Sequence, residues 1–368
     1  MKTSATFAYT FPAIRGVQAG REYYVSMCPL KIIPKLFHFD NGNLGPELRA
    51  QRILNKNRIP ALTNYIIENK DNYIFSALTV SVDGPLDFTP IDPETNGGIG
   101  FRLGSLNISM DANFIINDGQ HRKAAIEEAL KSAPELENET IAVVFFVDRG
   151  LKRCQQMFAD LNRYAIRPSA SISVLFDARD QIGRLAKLVA LTNTTFQDRV
   201  ELEKSSIAPR SRKLFTLSAI NYATRELVAG FHGNTEEVQQ LVLDYWDEVA
   251  TNIPEWQMLK TGELSAGERR EKYVHGHSVL LQALGRLGHA LLSYHEDDWR
   301  IKIRRLNSID WLRANRTDWE GRAMLGGRMS KNMMNVALTT NKLKLLLGLP
   351  LSESELETEK KFKRAPHD

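Results

Sequence analysis

The unbroken apolar run Ile141-Ala-Val-Val-Phe-Phe-Val147 constrains the fold more than any other stretch. A strand at the edge of water alternates polar and apolar residues; one without alternation predicts burial on both faces, inside a sheet. Companion strands are predicted at Tyr23–Met27, Tyr73–Val82 and Phe114–Ile116, where β-branched and aromatic residues gather. Asp83-Gly84-Pro85 and the Pro90–Gly98 stretch read as loops, the second exposed and irregular. From Leu151 onward the pattern turns helical, with helices predicted over 151–161, 172–191 (Ser171 as its N-cap), 214–228, 235–250, 279–294 and 331–347. The chain therefore reads as α+β, with a mixed core in residues 1–150 and a helical domain in 151–350. The Glu- and Lys-rich residues 351–368 are expected to fray or lack order.

Composition removes several function classes. A chain of 368 residues that is 43% hydrophobic and 25% charged is ordinary globular material, and it holds no run near the ~20 apolar residues of a membrane span. Met1 to Pro12 lacks a basic stretch followed by an apolar one, so a cytoplasmic protein is expected. Cys28 and Cys154 stand far apart and outside any Cys-x-x-Cys spacing, which supports neither a zinc ribbon nor a disulfide framework; both read as buried apolar side chains. The net charge of +4 permits a nucleic-acid partner without requiring one. Its distribution says more, because basic residues cluster. The clusters that read as DNA-backbone contacts hold Lys152, Arg153 and Arg167, then Arg210, Arg212 and Lys213 in a loop ahead of a helix.

One motif carries most of the functional information. Phe114-Ile115-Ile116 runs into Asn117-Asp118-Gly119, and a helix is predicted from Gln120, with His121 and Arg122 in its first turn. The first amides of a helix lack internal partners and carry the positive end of its dipole, so this junction reads as an anion site. Asp118 is expected as the N-cap, with metal binding or orientation of Arg122 as alternatives. Gly119 would admit a phosphate close to the backbone, and Gln120, His121 and Arg122 would complete the site. A strand, an Asp-Gly turn and a capped helix also occur without any ligand.

Asp118-Gly-Gln-His-Arg122, continued by Lys123-Ala-Ala-Ile126, resembles the defining motif of the DGQHR-domain proteins, a branch related to the ParB and sulfiredoxin superfamily. Gln156 to Pro168, with Phe158-Ala-Asp-Leu-Asn-Arg163, resembles the segment that follows the β-rich core in that family, and Phe11 to Tyr24 resembles the start of the DndB family. The resemblance implies a ParB/sulfiredoxin-like core followed by helices, nucleotide or DNA phosphate at the strand-turn-helix, and an accessory or regulatory place in DNA phosphorothioation. Duplex DNA, phosphorothioation enzymes and further copies of the chain are the partners so implied. Sulfiredoxins keep a cysteine where this chain has Gln120, so phosphoryl transfer to a sulfinate is disfavoured. Asn162 and Arg163 are expected to reach over the phosphate site, with Asp160 either part of that group or simply paired with Arg163.

Two function classes compete. The first is a DNA-binding transcriptional regulator without covalent chemistry. The second is a nucleoside triphosphatase or nicking enzyme, with Asp118 on a divalent metal and Arg122 on the transferred phosphoryl group; it would take a nucleoside triphosphate with that metal as cofactor. A protein-docking scaffold is a blander third. His275-Gly276-His277 reads as a loop or helix start before a metal pair, Gly326-Gly327-Arg328 as a flexible basic turn, and the five tryptophans of the helical half as core.

Overall fold

The computed structural model describes residues 7–37, 56–95, 97–149, 153–163, 168–231, 235–294 and 299–364. It divides into two compact units, Met1–Ile166 and Arg167–Asp368. The architecture is α+β, a seven-stranded sheet in the first unit and mostly helices in the second.

The sheet is built from β1 (Ala8–Gln18), β2 (Arg21–Pro29), β3 (Leu78–Asp83), β4 (Leu86–Pro90), β5 (Leu103–Ser109), β6 (Asn113–Asp118) and β7 (Thr140–Val147), in the order β4-β5-β1-β2-β7-β3-β6. Only the β3–β7 pair is parallel; the others are antiparallel. As the apolar run predicts, β7 lies inside the sheet, and Ile141, Val143 and Phe145 are buried while Ala142, Val144 and Phe146 are half-buried. The core face packs against α1 (Ile33–Leu36), α2 (Ile59–Glu68) and α4 (Gln120–Ser132), which follows the short α3 (Ile99–Arg102). α5 (Cys154–Arg163) packs on β6, on the side of Ser81 and Asn117.

Three strands escape the sequence pattern. β1 carries Pro12, β4 ends on Pro90 and β5 contains Gly104, residues that usually interrupt strands, and tertiary pairing overrides that preference. Conversely, the predicted strand at Tyr73–Val82 begins only at Leu78. Ile74 donates its amide to the Tyr65 hydroxyl at 2.9 Å, and Arg122 takes the carbonyls of Ser76 and Ala77, so that stretch has other partners than a neighbouring strand.

The second unit contains α6 (Ala170–Phe176), α7 (Gln181–Thr192), α8 (Leu217–Leu227), α9 (Thr235–Thr251), α10 (Pro254–Thr261), α11 (Ala266–Lys272), α12 (Ser278–Tyr294), α13 (Trp299–Ile303), α14 (Arg316–Trp319), α15 (Met333–Leu347) and α16 (Glu353–Arg364). Two-stranded pairs join β8 (Val200–Glu201) to β9 (Phe215–Thr216) and β10 (Met324–Leu325) to β11 (Arg328–Met329). All five tryptophans are buried, Trp246, Trp256 and Trp319 completely. At the α8–α12 crossing a Cβ on Gly285 would lie 2.2 Å from the Ala223 carbonyl oxygen, so only glycine lets the two helices approach this closely.

Two expectations are corrected here. The single helix 172–191 is two, because Asp180 caps a new start by accepting the Ile182 amide at 3.1 Å; the first helix is capped by Ser169, and Ser171 lies inside it, donating to the Lys204 carbonyl. Of the tail expected to fray, 365–368 lie outside the described residues, and Glu353–Arg364 instead form α16. Its Glu359 is buried and makes a two-pronged pair with Arg322 at 2.7 Å, Glu355 pairs with Lys344, and the Arg322 guanidinium lies 4.7 Å from the Phe362 ring centre. Charged residues without an apolar stripe of their own thus dock through specific partners. Among the described residues no helix is long and apolar enough to cross a membrane.

Candidate functional site

β6 delivers the chain to Asp118 at an edge of the sheet, and α4 begins two residues later. Gly119 makes the junction possible. Its φ of +102° is left-handed, and a Cβ there would lie 2.4 Å from a Leu78 methyl and 3.2 Å from the Arg122 guanidinium. The expectation that Asp118 caps the helix is not met: Gly119 itself is the N-cap residue and supplies no side chain. Asp118 turns instead to Arg122, accepting from Nη2 at 2.6 Å.

Arg122 is thereby fixed from several sides. Nη1 donates to the Ser76 carbonyl at 2.8 Å, to the Ala77 carbonyl at 3.1 Å and to the Ser76 hydroxyl, and the side chain is 14% exposed. Its charge is matched by the Asp118 carboxylate, so the pair staples the approach to β3 onto the first turn of α4. Gln120, also buried, donates from Nε2 to the Ile116 carbonyl at 3.1 Å. Three of the side chains expected to hold phosphate, those of Asp118, Gln120 and Arg122, thus organise the junction itself.

What remains for an anion is the start of α4 and the charge beside it. α2 packs on α4, and burial together with the positive charge of Arg58 holds His121 below the ordinary histidine range. Arg58, at the start of α2, is the residue that the sequence pattern missed, because only the packing of two helices brings it near the motif.

The second motif meets the first from beneath. Asn117 is 1% exposed; its Nδ2 donates to Ser81 Oγ at 2.8 Å and lies 3.0 Å from Met157 Sδ, while its Oδ1 accepts from Cys154 Sγ at 2.8 Å. The two signatures therefore join through the buried Asn117 and Cys154 and the half-buried Met157. Asp160 accepts from Gln156 at 2.7 Å and lines a cleft of about 280 Å³ with Gln18, Arg21, Phe146 and Arg153. Arg153 is exposed, and its amide donates to the Asp148 carboxylate at 3.0 Å. Arg163 is exposed at the end of α5. Lys152, Arg167 and the side chain of Asn162 lie outside the described residues.

The chemistry open to the site follows from its donors. Asp118 is engaged by Arg122, and among the described residues no three His, Cys, Asp or Glu side chains converge as a metal site. Both thiols are buried; burial pushes Cys28 up to about 12, and Cys154 is held by Asn117. In the second unit His275 accepts from Trp256 Nε1 at 3.1 Å on Nδ1 and faces Glu255 on Nε2, while His277 faces the Arg270 carbonyl, so each histidine has a structural partner. Gly326–Gly327 is a tight hairpin turn tied at both polar groups: Gly327 donates to Glu320 at 3.1 Å and accepts from Arg313 at 2.8 Å. Arg210 and Arg212 are exposed, and Lys213 Nζ donates to the Asp198 carbonyl at 3.1 Å.

Compared with known families, residues 11–350 match the model of DndB, described as DNA-sulfur modification-associated. No curated protein and no solved structure matches the chain.

Proposed function

We propose that this chain, which belongs to the DndB family and is thereby associated with DNA sulfur modification, works as a DNA-binding regulatory or accessory protein of a phosphorothioation system. The observation that carries this reading is the Gly119 junction. A helix of 13 residues starts there on a left-handed glycine with no side-chain cap, and Arg58 adds positive charge at its mouth beside the uncharged ring of His121. Such a mouth suits a phosphodiester oxygen. Regulation ranks above catalysis because Gln120 is locked against the Ile116 carbonyl and both thiols are buried, which leaves the junction built for holding an anion.

Binding of the full chain to labelled duplex DNA, titrated from about 50 to 200 mM salt, tests it. Neutralised phosphates release counterions, so log K should fall steeply and linearly with log salt. Arg58→Ala and His121→Ala should each weaken binding severalfold. Absence of any duplex binding at about 50 mM salt overturns the reading.

A further inference from the structure

The loop between β8 and β9 is held by a single guanidinium. Arg270, on α11, donates to the carbonyls of Pro209 at 2.8 Å, Ser211 at 2.7 Å and Lys213 at 2.7 Å. In a trans peptide the carbonyl and the following amide point in opposite directions. Alternate carbonyls drawn onto Arg270 therefore turn the amides of Arg210 and Arg212 outward, away from the fork. Among the described residues neither amide has a hydrogen-bond partner, and both arginine side chains are exposed. The rest of the loop is pinned: Ser211 donates to the Ala208 carbonyl at 2.9 Å, Lys213 to Ser211 Oγ at 3.1 Å, and Leu214 to the Arg199 carbonyl at 2.6 Å.

The charge balance distinguishes this loop from an ordinary solvated face. Arg270 is anchored by neutral carbonyls, so its positive charge stays uncompensated within the loop it organises. Arg269, fully buried beside it, also meets carbonyls, those of Leu214 at 2.8 Å and Gly276 at 3.3 Å, and the Phe215 ring at 4.5 Å. Arg313 repeats the device beside the same last turn of α11, bonded to the carbonyls of Glu271 and Gly327. Outward amides, two exposed guanidinium groups and an unneutralised charge behind them make a donor-rich surface of the kind that takes phosphate.

We propose that the Pro209–Lys213 loop is a preorganised cradle for the phosphodiester backbone of duplex DNA, with Arg210 and Arg212 as the contacting residues and Arg270 as a positioning residue. It rests on the DNA-binding reading above and names a surface for it in the second unit. Because the contacts go to backbone and not to base edges, they set affinity and register rather than sequence preference.

The test is fluorescence anisotropy of the full chain with a labelled duplex of arbitrary sequence across a salt series. Arg210→Ala/Arg212→Ala alters two exposed side chains, so the fold should be retained, which circular dichroism checks. The double variant should lower the slope of log K against log salt by about 2, near 0.9 for each phosphate no longer neutralised, and weaken binding at least tenfold at about 100 mM salt. Arg270→Lys keeps the charge but cannot span three carbonyls, so affinity should fall while the slope is nearly kept. A wild-type chain that binds DNA with a slope unchanged in the double variant overturns the cradle and leaves the DNA-binding reading standing. A wild-type chain that binds no duplex overturns both.

Discussion

Arg122 in the sheet unit and the arginines around α11 in the helical unit are held in opposite ways. In the sheet unit Arg122 is fixed by the Asp118 carboxylate and two carbonyls, so the most conspicuous cation of the signature is neutralised in the act of shaping the junction. In the helical unit Arg269, Arg270 and Arg313 bond to backbone carbonyls, which fix position without cancelling charge. The lesson is that a motif cation and a working cation need not be the same residue. An arginine held by carbonyls keeps its field for a partner; one held by a carboxylate contributes mainly geometry.

The largest expected effect tests how firmly the helical unit depends on its buried cation. Arg269→Ala removes a side chain that is 0% exposed and leaves two carbonyls without their donor, so urea unfolding should show a loss of about 3–5 kcal/mol. A loss under about 1 kcal/mol would mean that the neighbouring chain collapses onto the space, and the contrast between the units would weaken.

Acid comes next. Burial holds His275 at about 4, below the ordinary histidine value of 6.5. The unfolded chain then binds its proton first as pH falls, so the stabilisation is complete above about 6.5 and is lost progressively towards pH 4. Its full size is about 3 kcal/mol. His277 is depressed to about 4 by burial and by the charges of Arg313, Arg269 and Arg270, and adds in the same direction. Burial opposes the ionised form of Glu255, but its bond with His275 prevails and lowers its value, so that group too loses stability on acidification. Unfolding midpoints measured at about pH 7.5 and about pH 5 should fall for the wild type as the histidines titrate; a variant carrying His275→Gln should show a flatter profile from a lower start.

Arg122→Ala sharpens the comparison most directly. Breaking the partly buried staple should cost about 2–3 kcal/mol, while the salt slope of DNA binding stays within about 0.5 of wild type. A slope change as large as that of the loop variant would erase the distinction between shaping and working arginines. The smallest effect lies at the β1–β2 hairpin, where Ala19 has a left-handed φ of +52°. Ala19→Gly should raise the stability of the sheet unit by about 0.5–1 kcal/mol in denaturant melts, and a loss there would show that the strain is compensated locally.

Legibility in the sequence varied with the kind of information. Val143 and Phe145 announce an interior strand because transfer from water depends on local apolar content, and the helices of 235–251, 278–294 and 333–347 follow within a residue or two of their expected bounds for the same reason. The α1–α2 elements and β1, β4 and β5 were not legible, since Pro12, Pro90 and Gly104 contradict strand propensity and are tolerated only through their neighbours. Ser171 and Asp118 look like caps from residue type, yet a cap is a geometry. Ser169, Asp180 and Gly119 hold those places, which depend on dihedral angles rather than on composition.

By itself the sequence determined the α+β class, the strand-turn-helix at Asp118–Arg122 and its family resemblance, because these rest on local periodicity and on residue order. Tertiary structure alone decided which charges are cancelled. Arg58 reaches His121 only through the packing of α2 on α4, and Arg270 reaches the Pro209–Lys213 loop across a long separation in sequence. Electrostatic pairing falls steeply with distance, and distance between residues far apart in the chain exists only once the chain has folded.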